Sequence, residues 1–111
     1  MTMSGSIDLL QGTVDVLTLR ALVPGPMHGY SVSRWIRDRT DGDLLVENAA
    51  LYKALHRLEL SGCIRAEWGR SENNRRARYY SLTAKGRRQL QLEESRWRQY
   101  VAAVSRVLAP A

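Results

Sequence analysis

Ten of the chain's 17 Lys and Arg residues fall between Lys53 and Arg88, where only three acids, Glu59, Glu67 and Glu72, oppose them. That block carries +7, whereas residues 1–52 carry −2 and residues 89–111 carry +1. Positive charge concentrated in this way marks a face that meets a polyanion. Lys53, His56 and Arg57 are spaced three and four apart, so a helix would set them on one side. Arg70, Arg75, Arg76 and Arg78 gather around a polar, turn-rich stretch with Glu72 alone among them. The chemistry these groups offer is phosphate binding, with guanidinium and ammonium groups as charged donors.

Bond-making chemistry has no comparable set of residues. His28, His56 and Cys63 lack the spacing of a zinc site. There is no Gly-rich phosphate loop, nucleophile elbow or HExxH pair, and Cys63 has no sequence-evident base. The expectation is a protein that binds rather than catalyses, with no metal and no cofactor. Nucleic acid suits the basic block better than an anionic membrane does, because these cations do not line one amphipathic helix.

The 111 residues have room for one domain, and Leu, Ile and Val make up about a quarter of them, above the roughly 20% that marks disorder. No apolar run nears the ~18 residues of a membrane span. The first residues lack the basic start of a signal peptide. A single cysteine, Cys63, rules out a disulfide framework and fits a reducing compartment. The expected location is the cytoplasm.

Five elements must position the cations. The first helix is expected over residues 8–22, with Leu10, Val14, Leu17 and Ala21 as its core stripe and Leu9, Val16 and Leu19 on a second apolar side. Pro24 and Pro26 stop it. The second helix is expected over 29–39, burying Val32, Trp35 and Ile36, with His28 placed to cap it. Leu44, Leu45 and Val46 could then add a minor strand. The third helix is expected over 49–61, with Asn48 as its N-cap. Its buried side is Leu51, Leu55 and Leu58; Ala49, Lys53 and His56 point the opposite way, flanked by Tyr52 and Arg57. Gly62 suits a left-handed C-cap.

The period then changes to two. Ile64, Ala66 and Trp68 on one run, and Arg78, Tyr80 and Leu82 on another, predict a hairpin with a long tip over residues 69–76. The last helix is expected over 84–108, capped by Thr83. It would be about 38 Å long, whereas a compact domain of this size is about 26 Å across. It must overhang, and its stripe of Leu90, Trp97, Val101, Val104 and Leu108 then needs a partner, for which a second copy of the chain is the simplest choice. Gly86, one turn into this helix, implies close packing against another helix.

Three helices, a basic hairpin and a long helix make up the order of a winged helix-turn-helix. The expected fold is mainly α with a small β-hairpin. Residues 1–82 form the DNA-binding part and residues 83–111 a dimerisation helix, in one compact unit. A helix with one face for the core has the other free for the major groove of double-stranded DNA, and the hairpin brings cations to backbone or minor groove. The candidate DNA-binding residues are Asn48, Ala49, Tyr52, Lys53, His56, Arg57, Arg70, Arg75, Arg76 and Arg78. Tyr52 lies at the edge of the buried face, so core packing and a phosphate contact are both open to it. His56 is either a base contact or simply exposed. A nonspecific architectural or RNA-binding protein is the alternative function, and a winged-helix protein-interaction module a third.

Three linked motifs resemble the PadR family of bacterial transcriptional regulators. They are Pro26-Met27-His28-Gly29-Tyr30, Leu51-Tyr52-Lys53-Ala54-Leu55-His56-Arg57-Leu58-Glu59 followed by Gly62, and Arg78-Tyr79-Tyr80-Ser81-Leu82-Thr83-Ala84-Lys85-Gly86. The resemblance covers about residues 9–108, and the single C-terminal helix is similar to the short subgroup. Lys53 and Ala49 depart from the family pattern, which usually has Pro and often Gly there; both make the helix more regular, and Lys53 adds an outward cation. The resemblance implies a homodimeric repressor on a pseudo-palindromic operator, released by a small effector. It also implies two roles for Trp97: filling the dimer core, or, with Leu10 and Val14, lining a pocket for a flat aromatic ligand between subunits. The expected dimer interface is Leu10, Val14, Leu90, Trp97, Val101, Val104 and Leu108.

Overall fold

A computed structural model describes residues 12–111; Leu10 and the expected start of the first helix at residue 8 lie outside the described residues. The chain runs through α1 (Thr13–Ala21), β1 (Met27–His28), α2 (Gly29–Arg39), α3 (Asn48–Leu60), β2 (Ile64–Arg70), β3 (Arg76–Leu82) and α4 (Ala84–Leu108). The three strands form one antiparallel sheet in the order β1-β3-β2. This is a mainly helical winged helix-turn-helix with a long C-terminal helix.

Local chemistry sets most of the boundaries. His28 caps α2: its Nδ1 accepts the Ser31 backbone N–H at 3.3 Å. At the far end of α2, Thr40 donates its hydroxyl to the Ile36 carbonyl at 2.9 Å. α3 ends in a Schellman turn, with Gly62 at φ 81°, its N–H on the Glu59 carbonyl and the Cys63 N–H on the Leu58 carbonyl. Thr83 caps α4 by accepting the Gly86 N–H at 3.0 Å. Asn48 does not cap α3. It is the first helical residue, and Glu47 holds the cap position without a side-chain bond.

The core lies where α1, α2 and α3 meet the base of the sheet. Leu19, Leu22, Val32, Ile36, Leu51 and Leu55 are almost completely buried, each worth about 1.5–3 kcal/mol. The expected stripe of α1 is corrected here. Thr18, Leu19, Ala21 and Leu22 are its buried residues, while Val14, Val16 and Leu17 are half-buried. α1 packs on both α3 and α4, so a single-sided periodic stripe does not describe it.

Two strand expectations also change. Leu44–Val46 forms no strand; the third strand is Met27–His28, whose residues pair with Tyr80 and Tyr79. β2 and β3 run further than expected, in register from Ile64 opposite Leu82 to Arg70 opposite Arg76, so the tip is only Ser71–Arg75.

α4 docks through Gly86, but its close neighbour is the backbone of Cys63 at the foot of the wing and not another helix. A Cβ on Gly86 would lie 2.0 Å from the Cys63 carbonyl oxygen. The same carbonyl accepts the Thr83 N–H at 3.1 Å and the Thr83 hydroxyl at 3.0 Å. Gly86→Ala should therefore cost at least about 1–3 kcal/mol, the range for forced overpacking. Urea unfolding checks this, and a variant as stable as the parent would mean that α4 does not approach Cys63 in this way.

Candidate nucleic-acid interface

α3 turns a polar face outward because its apolar residues are spent on the core. Leu51, Ala54, Leu55 and Leu58 are buried, and Asn48, Ala49, Tyr52, Lys53, His56 and Arg57 are exposed. Its first-turn N–H groups carry no side-chain cap, which leaves the positive end of the helix open to solvent.

Two ion pairs tie this helix to its neighbours. Arg57 reaches Asp15 of α1 at 2.6 Å, and Arg78 of β3 reaches Glu59 of α3 at 2.7 Å. Both pairs are solvent-exposed and worth about 0–1 kcal/mol each. They nevertheless occupy two of the cations that the sequence assigned to DNA. Lys53, Arg75 and Arg76 make no ion pair among the described residues.

Tyr52 is neither core nor fully free. It is 51% exposed and lies across the start of α2, where a Cβ on Gly29 would sit 2.8 Å from its hydroxyl oxygen. Tyr80, 6% exposed, lies below it on β3 and packs into the core. Burial pushes the Tyr80 phenol's pKa up, so at neutral pH it remains a protonated donor.

The wing brings like charges face to face. Arg70 stands opposite Arg76, and Arg78 stands opposite Trp68. Cross-strand like charges destabilise a hairpin. Trp68 offsets this, with the Arg76 guanidinium 4.2 Å and the Arg78 guanidinium 5.9 Å from its ring centroid, contacts worth about 0.5–1 kcal/mol each at exposed sites. Arg70 instead donates to the Asn74 carbonyl at 3.2 Å. Arg75 is exposed on the tip, which is closed by bonds between Ser71 and the backbone of Asn74 and Arg75. Sequence reasoning placed Trp68 in the strand alternation but not in the interface. The available signal was an outer-strand aromatic with arginines across the turn.

The expected dimer and effector residues separate. Leu90 is 6% exposed and belongs to the chain's own core, which leaves it little surface for a partner. Val14 is half-buried against the same core. Trp97, Val101, Val104 and Leu108 remain exposed on α4. Trp97 stacks on Tyr100 at 6.0 Å and divides two cavities. One, of about 420 Å³, is lined by Thr13, Val16, Glu93 and Tyr100 among others, and the second, of about 300 Å³, by Leu17, Arg20, Leu44 and Arg98 among others. Val14 lines neither; the α1 residues that share these cavities with Trp97 are Thr13, Val16, Leu17 and Arg20.

Among the described residues no cluster of His, Cys, Asp and Glu could hold a metal ion. No helix of the described residues is long and apolar enough to cross a membrane.

An outward-facing third helix beside a cationic wing defines a DNA-binding winged helix-turn-helix. Comparison narrows the class. Residues 18–92 match the transcriptional regulator PadR-like family. A transcriptional regulator from Clostridium thermocellum is 29% identical, with a TM-score of 0.82 over 89% of this chain and 96% of that one. A PadR family transcriptional regulator from Eggerthella lenta is 28% identical, with a TM-score of 0.77 over 91% and 86% of the two chains. A PadR family regulator from Clostridium difficile is 25% identical, with a TM-score of 0.76 over 88% of this chain and all of that one. The chain belongs to the PadR-like family of transcriptional regulators, and is thus a DNA-binding regulator.

Arg75 and Arg76, which have no acidic partner among the described residues, generate the first expectation about DNA. Arg75→Ala with Arg76→Ala should reduce the slope of log K against log salt by about 2 and weaken all duplex sequences alike. Fluorescence anisotropy over a salt series measures both quantities. If neither moves, the wing does not lie on DNA.

Proposed function

We propose that the protein is a homodimeric, cytoplasmic repressor that places two copies of α3 in successive major grooves of a pseudo-palindromic operator. The observation that carries the dimer is the bare second half of α4. Every residue from Ser95 to Ala111 is exposed, including Trp97, Tyr100, Val101, Val104, Val107 and Leu108. An apolar stripe of this length on a monomer is a surface awaiting a partner. The radius of gyration, 15.5 Å, exceeds the roughly 13 Å of a compact chain of this length, as an overhanging helix requires. A two-fold axis along this stripe satisfies both copies with one contact, and half-sites about 34 Å apart would then be read together. Repression, with release by an effector, follows the family's common mode of action.

Within that reading Lys53, His56, Asn48 and Ala49 face the groove, Tyr52 and the wing arginines take phosphate, and Arg57 is first of all a tie to α1. Gel shift with the region upstream of the protein's own gene, against excess random duplex, tests sequence specificity; equal competition by random DNA would favour an architectural role instead. Analytical ultracentrifugation tests the assembly. The parent chain should be dimeric at micromolar concentration, and Val104→Asp should be monomeric with sharply reduced operator binding. A monomeric parent, or a dimeric Val104→Asp, rejects the arrangement.

The cavities beside Trp97 support an effector site for a flat aromatic compound, since stacking on a large ring adds about 0.5–1.5 kcal/mol to burial. With Trp35→Phe and Trp68→Phe, the remaining Trp97 emission should be quenched saturably by such a compound, with operator release over the same concentrations. If Trp97→Ala lowers dimer stability but planar compounds neither quench nor release DNA, Trp97 is only interface core.

A further inference from the structure

The sheet ends on β2, which has β3 on one side and, among the described residues, no strand on the other. Its seven residues pair with β3 without a break, from Ile64 opposite Leu82 to Arg70 opposite Arg76, so no bulge interrupts this edge, and no proline lies in it. Bulges and prolines are the usual devices that stop an edge from pairing again. The two ends of the ladder fix its hydrogen-bonding sense. The Thr83 N–H donates to the Cys63 carbonyl, and the Ser71 N–H to the Arg75 carbonyl. Antiparallel bonding alternates, so Arg65, Glu67 and Gly69 bond towards β3. The N–H and C=O groups of Ile64, Ala66, Trp68 and Arg70 then point along the free edge. Side chains alternate as well. Trp68, opposite the Arg78 that reaches Glu59, lies on the α3 side of the sheet. Arg65 and Glu67 lie on the other face, exposed and without an ion pair among the described residues.

We propose that a second copy of the chain adds its β2 to this edge, antiparallel, about a two-fold axis at Ala66. Only registers that set outward-pointing residues against each other make the bonds. With the axis at Ala66, Arg65 of each copy stands opposite Glu67 of the other, and Trp68 opposite Ile64. An axis at Arg65 or at Glu67 would set that residue against its own copy, and like charges directly opposite destabilise a sheet. An axis at Ile64 or Trp68 leaves both charges without an opposite partner and shortens the overlap. Charge complementarity thus selects both the occupant and the register, because the edge complements itself. The two sheets become one, and the axis stands perpendicular to it, so both copies of α3 lie on the same side. This goes beyond the homodimer proposed through α4, since each such dimer keeps two free β2 edges. Edge pairing would join neighbouring dimers on one duplex. The contact is small, so in free solution it is weak and transient.

The test uses the full chain without DNA. Sedimentation equilibrium from micromolar to millimolar concentration should show the mass doubling beyond the assembly present at the micromolar end. Over the same range the amides of Ala66 and Trp68 should become protected from hydrogen exchange, while those of Arg65 and Glu67 are protected throughout. Arg65→Glu and Glu67→Arg should each weaken this step by about tenfold, since each turns two attractive cross-strand pairs into two repulsive ones. Mixed in equal amounts, the two variants should regain it, because each supplies the charge that the other lacks. A merely structural effect of either substitution gives no such rescue. Growth in mass with Ala66 and Trp68 still exchanging freely overturns the edge contact and leaves the α4 dimer standing. So do variants that assemble like the parent, and weakened variants that mixing does not rescue. A mass that never rises beyond the micromolar assembly overturns the edge contact as well. A parent that is monomeric at micromolar concentration and pairs only above it, with rescue by the mixture, upholds the edge contact and rejects the α4 dimer instead.

Discussion

The close approach of Gly86 to the Cys63 carbonyl is the contact on which the rest of the arrangement depends. It joins three elements at one point: the turn that ends α3, the foot of the wing just before β2 and the first turn of α4. The carbonyl is already engaged by the backbone and hydroxyl of Thr83, so it cannot swing away to admit a side chain. Lys85 adds a second link by donating its ammonium to the Ser61 carbonyl at the end of α3. Because α3 and the wing leave this junction in fixed directions, α3 and the cationic strand ends keep a constant separation. On the other side, β1 holds the start of α2 against β3.

The basic block divides into cations that build the protein and cations left for a ligand. Arg57 and Arg78 connect α3 to α1 and to the wing. Lys85 closes the end of α3. Lys53, Arg75 and Arg76 have no acidic partner among the described residues, and Arg76 faces Arg70 across the ladder. That repulsion is a cost in the free protein, and a polyanion would remove it. Net charge therefore overstates the interface, because Arg57, counted in the +7 of residues 53–88, is paired with Asp15 outside that block.

Much of the fold was legible because its signals are periodic or stereochemical. The 3.6-residue stripe of α3, the switch to a two-residue period after Gly62, the positive φ of Gly62 and the Thr83 cap all follow from residue type and spacing. What was not legible had no period to show. β1 is two residues long and exists only because β3 lies beside it. α1 is covered from two sides, which blurs its stripe. Asn48 is a good capping residue by type, but the chain begins the helix one residue earlier. The site was legible as a set of charges and illegible as a set of pairs. Nothing in the spacing of Asp15 and Arg57, 42 residues apart, or of Glu59 and Arg78, 19 apart, marks them as partners. The same limit hid Trp68, whose importance lies in which arginines face it.

The two ends of the protein are connected through α1. One side of this short helix borders the cavities at Trp97, through Thr13, Val16 and Leu17. From another side Asp15 reaches Arg57 on α3. The ion pair alone is too weak to carry a signal, since exposed pairs contribute about 0–1 kcal/mol. The packing is stronger. Leu19 and Leu22 of α1 lie in the same cluster as Leu51, Leu55 and Leu58 of α3, and close-packed side chains transmit displacement because they leave no slack. A shift of α4 against α1 would have to be absorbed at the cavities or passed to α3. The cavities give space on the α4 side, and the core gives none on the α3 side. Filling that space, by a ligand or by a partner's side chain, would remove the compliant layer and make the position of α4 felt at α3.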